Sequence, residues 1–122
     1  MVIHLDANFL IRVVRSDEAA REVGEQAAGD YINLSAIAWS EFLCGPVSAA
    51  EALRARAIVD EIEPVVRLDG ETAAELFNRT GRRVRSLRDC LIAAVAIRCG
   101  ASLATKNLTD FARFEQFGLN LL

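Results

Sequence analysis

Short apolar runs that recur between helix-forming stretches constrain this chain more than any other feature. Residues 2–5 (VIHL) put apolar side chains almost consecutively before Asp6, the pattern of a strand buried on both faces rather than of one exposed on alternate residues. Residues 31–34 (YINL), 65–68 (VVRL) and 102–105 (SLAT) give three further strand candidates, and 117–122 a short fifth. Between them lie helical patterns with recognisable ends. Residues 7–15 predict one helix, and 17–28, with early acids and Gly29 behind, a second. Ser35 is placed to cap a helix that reaches Cys44 and stops at Gly45-Pro46. Ser48 and Glu51 have capping-box spacing for a helix to about Ile62, and another helix runs from Glu71, weakened at Gly81. An Ala- and Ile-rich helix spans 89–99 and ends at Gly100. Alternation of this kind predicts an α/β fold, with a mainly parallel sheet of four or five strands covered by helices.

With 122 residues, the chain suffices for one domain (1–122) with a real core and is too short for two. The N-terminal stretch has no basic leader, and no apolar run is long enough to span a membrane, so a cytoplasmic location is expected. Cys44, Cys90 and Cys99 are an odd set without a C-x-x-C pair, which fits buried free thiols better than disulfides or zinc. A net charge of −3 excludes a generic polyanion binder. Yet Arg79, Arg82, Arg83, Arg85 and Arg88 follow one another with no acid among them. On a helix, Arg79, Arg82 and Arg83 would share a face, a local basic edge suited to RNA phosphates. Lys106 is a further candidate.

In parallel sheets, sites form beyond the carboxyl ends of the strands. Asp6 ends the first strand and Asp110 follows the fourth; Glu41 and Asp89 can join them from helices. Four carboxylates at one sheet edge repel one another unless cations occupy the cluster, and oxygen-rich sites favour Mg²⁺ or Mn²⁺. Such ions promote phosphodiester hydrolysis. Each acid also has a structural explanation. Asp6, Asp89 and Asp110 can be caps, whereas Glu41 sits among Ile37, Trp39, Phe42 and Leu43, where an unpaired carboxylate is costly. His4 is the sole histidine, so a two-histidine ribonuclease mechanism is excluded within one chain; a satisfied core imidazole is expected. Trp39 and Phe42, at helical spacing, read as core or dimer-contact residues.

LDAN at the first strand end, Glu41 within SAIAWSEF, RDCLIAAVA from Arg88 and TKNLTDF from Thr105 together resemble the PIN domain, and within it the VapC toxins of toxin–antitoxin pairs. The resemblance covers the chain from residue 1 to its end. It implies a three-layer α/β/α sandwich and cleavage of RNA by an endonuclease that depends on Mg²⁺ or Mn²⁺. It also implies that Asp6, Glu41, Asp89 and Asp110 form the metal-binding set, supported by Asn8, Thr105 and Asn107. A homodimer and a small antitoxin, which binds a groove and inserts a basic side chain near the acids, are the implied partners, with larger toxin–antitoxin complexes open. Ala7 departs from the family, which has Thr or Ser after the first Asp. That departure supports a rival reading, a PIN-like binding module with impaired catalysis. A housekeeping RNA-processing nuclease is a further alternative. A haloacid dehalogenase-type phosphatase would need a second Asp where Asn8 stands, and a receiver domain would need a phosphoacceptor that neither Asp60 nor Asp69 supplies.

Overall fold

The first apolar run becomes the centre of the sheet. In a computed structural model that describes residues 1–122, Val2–Leu5 forms β1, with Tyr31–Ser35 (β2) on one side and Ser102–Ala104 (β4) on the other. Glu61–Glu63 (β3) and Asn120–Leu121 (β5) complete a five-stranded sheet of order β3-β2-β1-β4-β5, with every pair parallel. From β1 the chain moves outward in one direction to β2 and β3, then returns to the far side of β1 for β4 and β5. Right-handed crossovers in opposite directions put their helices on opposite faces. One group is Ala7–Arg15 (α1), Asp17–Gln26 (α2), Ala36–Cys44 (α3) and Ala49–Ile58 (α4), in which α1 packs against the other three. The second group contains Arg67–Arg79 (α5), packed along Leu87–Arg98 (α6), and the short Leu108–Ala112 (α7). The result is the expected three-layer α/β fold. No helix is long and apolar enough to cross a membrane.

Local chemistry explains most of the element ends. Ser16 and Ser35 cap α2 and α3 through their hydroxyls, and the Ser48–Glu51 capping box forms with both hydrogen bonds in place. The core runs through Ile3, Leu5, Leu34 and Leu103 of the sheet and the alanines Ala93, Ala94 and Ala96 of α6, all buried. Their small side chains let α6 lie close to the strands. Arg98, at the end of α6, donates to the buried carboxylate of Asp69 at 2.8 Å, which fixes the register of α6 against α5.

The third strand is not where the sequence pattern put it. Residues 65–68 lie in the connector and first turn of α5, and the strand is Glu61–Glu63, which the capping pattern had assigned to a helix end. Pairing with β2 decides the matter. Asp60 exchanges bonds with Ile32 at 2.7 and 2.8 Å, and Asn33 Oδ1 accepts from the Glu61 amide at 3.2 Å. Asp69 accepts from the Val66 amide at 2.9 Å, so the helix starts before Glu71. Helix α5 stops at Arg79, with Arg82 and Arg85 at φ of 52° and 71° in the turn beyond it. Arg79, Arg82 and Arg83 therefore share no helical face. The thiols also divide: Cys90 is buried and Cys44 exposed.

His4 corrects the expectation of a satisfied imidazole. The side chain is buried and neither ring nitrogen has a hydrogen-bond partner. Burial, reinforced by the charge of Arg98, lowers its pKa from 6.5 to about 4, so the folded chain holds it neutral. An unfolded chain takes up this proton near pH 6.5 and the folded chain only near 4, so stability falls as the pH drops through that interval. His4→Leu is expected to flatten this part of the curve, removing up to about 3 kcal/mol of pH dependence, measured by urea unfolding at successive pH values. An equally steep curve in the variant would assign the acid sensitivity elsewhere.

Candidate active site

The crevice between β1 and β4, where the chain direction reverses, is the ligand position that doubly wound sheets favour. Asp6 and Thr105 stand there side by side, one residue beyond paired Leu5 and Ala104. Asp6 is the N-cap of α1, its Oδ1 accepting from the Phe9 amide at 2.9 Å. Its Oδ2 accepts from the Thr105 hydroxyl. That hydroxyl accepts in turn from the Asn107 amide at 2.9 Å, and Asn107 Nδ2 donates to Asp110 Oδ2 at 2.8 Å. A continuous hydrogen-bonded path thus joins the acid after β1 to the acid in α7. Thr105 and Asn107 are its links. Capping explains one oxygen of Asp6 and leaves the other for this path.

Glu41 and Asp89 reach the same cleft from α3 and α6. The cleft holds about 260 Å³ and is lined by Asp6, Glu41, Asp89 and Asp110 together with Ala7, Asn8, Arg85, Arg88 and Asn107. Asp89 is the third residue of α6, and Ser86 occupies the cap position, so Asp89 is not an N-cap. Asp110 is likewise the third residue of α7. Glu41 meets Arg88 at 3.6 Å through Oε2, while its Oε1 is buried with no hydrogen-bond partner. Burial is the main influence on three of the acids and raises the pKa of each. For Asp6, hydrogen bonds from Thr105 and Phe9 oppose it. For Glu41, Arg88 opposes it, while Asp89 and Asp6 add to it. For Asp89, Arg113 and Arg88 oppose it, while Asp110 and Asp6 add to it. These are carboxylates that sense one another's charge.

Other candidate residues separate by position. Arg85 and Arg88 line the carboxylate cleft, and Arg83 lines the cavity adjoining it. Arg79 pairs with Glu75 at 3.4 Å and lies over Phe117, away from the cleft. Arg82 bonds Asn78 and lies over Phe77, and Lys106 is exposed outside the cleft lining. Trp39 stacks on the buried Phe42 with centroids 5.5 Å apart and belongs to the core periphery. Arg113 was not singled out from sequence, although its place three residues after Asp110 puts it one helical turn away. It lines the adjoining cavity, and its charge is the largest influence opposing the burial of Asp89.

Hard oxygen donors around one cleft suit a divalent cation. No three His, Cys, Asp or Glu side chains of the chain stand together as a finished ligand cage. The indication of a missing positive partner is the orphaned Glu41 Oε1, a buried acceptor with no internal donor. The acidic residues present fit a cation.

A doubly wound parallel sheet with an acidic cleft at its carboxyl edge defines the class. Compared with models of protein families, residues 3–116 match the PIN domain, and the chain belongs to that family. No curated protein sequence matches it. Among solved structures, it is similar to VapBC2 from Rickettsia felis bound to a promoter DNA fragment, with a TM-score of 0.79 and 20% identity over 100% of this chain and 98% of that one. VapBC-1 from nontypeable Haemophilus influenzae gives 0.72 and 24% over 100% and 97%. A toxin–antitoxin complex from Klebsiella pneumoniae gives 0.70 and 24% over 90% of each chain.

Clustered, desolvated carboxylates oppose folding when no cation is bound. Asp89→Asn is expected to stabilise the cation-free protein by about 1 kcal/mol, or a rise in Tm of about 4 °C. Thermal unfolding in chelator measures this; a lower Tm would show that Asp89 is held by net favourable contacts instead.

Proposed function

We propose that this chain is a divalent-cation-dependent endoribonuclease and the toxin of a toxin–antitoxin pair. The observation that carries the reading is the convergence of Asp6, Glu41, Asp89 and Asp110 on one cleft, with Glu41 Oε1 buried and unpartnered. These four residues are the candidate ligands for Mg²⁺ or Mn²⁺. A divalent ion held by them would supply Lewis-acid polarisation of a phosphoryl oxygen and activation of the attacking water. Thr105 and Asn107 orient Asp6 and Asp110 through the hydrogen bonds described above. Such supporting contacts fix the direction of ligand oxygens. Arg88, at the cleft mouth, offers an RNA phosphate a guanidinium that is otherwise only loosely tied to Glu41.

Two apolar surfaces favour protein partners. A groove of about 530 Å³ beside Glu41 and Arg88 is lined by Ile37, Cys44, Leu87 and Leu91. It suits the apolar face of an antitoxin segment, whose neighbouring basic residue would then meet the acids. The similarity to chains of VapBC and other toxin–antitoxin complexes agrees with such a partner. A second apolar concavity, lined by Ala74, Phe77, Val84 and Leu87, supports association with another copy of this chain.

Ala7 favours a second reading, a binding module with impaired catalysis. Its methyl group lines the cleft where a hydroxyl is usual, yet Asp6 receives a hydroxyl donor from Thr105. The four acids therefore favour the nuclease. Purified, partner-free protein is expected to cleave single-stranded RNA with Mg²⁺ or Mn²⁺ and to stop when a chelator is added. Asp6→Asn and Asp89→Asn are each expected to slow cleavage by about a hundredfold or more, with folding checked by circular dichroism. Folded wild-type protein that cleaves no RNA with either ion would leave the binding module as the better reading.

A further inference from the structure

A second polar cavity of about 240 Å³ adjoins the carboxylate cleft, sharing Asp89, Asp110 and Arg85 with it while excluding Asp6 and Glu41. Its remaining charged walls are Arg83 and Arg113. Arg113 lies against Phe114, with its guanidinium carbon 4.6 Å from the ring centroid. Its Nε is buried and has no acceptor. No carboxylate lies within ion-pair distance of it, in contrast to Arg15, Arg54 and Arg98. A guanidinium nitrogen left buried without an acceptor is costly, and its planar fork matches phosphate oxygens.

The turn that carries Arg83 and Arg85 into the lining of this cavity is closed by its own backbone. Ser86 donates through both its amide and its hydroxyl to the Arg83 carbonyl, at 3.2 and 2.8 Å, which closes the turn. Arg85 in that turn has φ of 71°, a conformation that Gly would adopt at lower cost. Neither Arg83 nor Arg85 has an ion-pair partner. Three free guanidinium groups thus surround a cavity that opens onto two of the four acids, an arrangement that leaves room for an anion.

We infer that Arg113, with Arg83 and Arg85, forms a phosphate subsite that holds the RNA linkage next to the one being cleaved. The inference rests on the reading of the cleft as a nuclease site and adds the route of the strand, from the carboxylate cleft past Asp89 and Asp110 into the arginine cavity. Arg113 is then a substrate-binding residue. A purely structural Arg113, packed on Phe114 and screening Asp89, is the competing account.

Binding of a labelled single-stranded oligoribonucleotide in chelator, followed by fluorescence anisotropy across a salt series, separates the two. Arg113→Gln is expected to weaken binding about tenfold and to reduce the slope of log K against log salt by about 0.7, one phosphate contact. Arg56→Gln, at Trp39 and remote from both cavities, is expected to change neither. Arg83→Gln, in an exposed turn position, is expected to act in the same direction as Arg113→Gln and covers the case in which the latter unfolds. Unchanged affinity and slope in folded Arg113→Gln and Arg83→Gln would overturn the subsite, and would leave the nuclease reading intact if both variants still cleave RNA. Wild-type protein that cleaves nothing, but loses RNA affinity with Arg113→Gln, would overturn the nuclease reading and, with it, the placing of the subsite beside a cleaved linkage, leaving Arg113 as an RNA-phosphate contact only.

Discussion

The pairing of β1 with β4 is the constraint on which the rest of the structure depends. Strands far apart in sequence become neighbours at the point where the chain reverses its winding direction. Both arrive with their carboxyl ends at one edge, so Asp6 and Thr105 meet without any local sequence relation between them. The path through Asn107 to Asp110 then needs only the short turn after β4. Helices α3 and α6 bring Glu41 and Asp89 to the same place, and three of the buried positions of α6 (Ala93, Ala94 and Ala96) are small enough to allow close packing. A bulky side chain at Ala93 or Ala96, both fully buried, would displace the helix and move Asp89 with it.

An acidic cleft built this way works against the fold that supports it. Burial raises the pKa of Asp6, Glu41 and Asp89, and their mutual charges add to the effect for Glu41 and Asp89. Arg88 and Arg113 offset part of this from two directions. Protonation of the acids and binding of the proposed cation would relieve the same repulsion, so acidification is expected to compete with that cation. Below the raised pKa values the carboxylates lose the charge that the proposed cation site needs.

Much of this was legible in the sequence because it depends on short-range patterns. Consecutive apolar residues mark β1, and Gly45-Pro46 and Ser48-x-x-Glu51 mark helix ends that formed as expected. Strand β3 was hidden because an edge strand can be short and charged, as Glu61 and Glu63 make it; its place is fixed by bonds to Ile32 and Asn33. The run at 65–68 has strand-like residues, but Asp69 and its bond to Arg98 recruit its last two into a helix. Among the candidate site residues, Asp6 and Asp110 stood out through strand ends and Glu41 through its apolar context, whereas Asp89 leaned on the resemblance. Arg113 did not, because its relation to Arg83 and Arg85 exists only once α7 lies beside the turn after α5. The basic run misled in the opposite direction: Arg79 and Arg82 are engaged by Glu75 and Asn78, away from the cleft.

As proposed, the four carboxylates act together as one cation site. Thermal unfolding with increasing Mn²⁺ tests it most directly, since a ion that binds only the folded chain raises Tm with concentration. Such a rise is expected for the wild-type chain, and almost none for Asp6→Asn. A wild-type Tm indifferent to Mn²⁺, or an equal rise in both proteins, would contradict it.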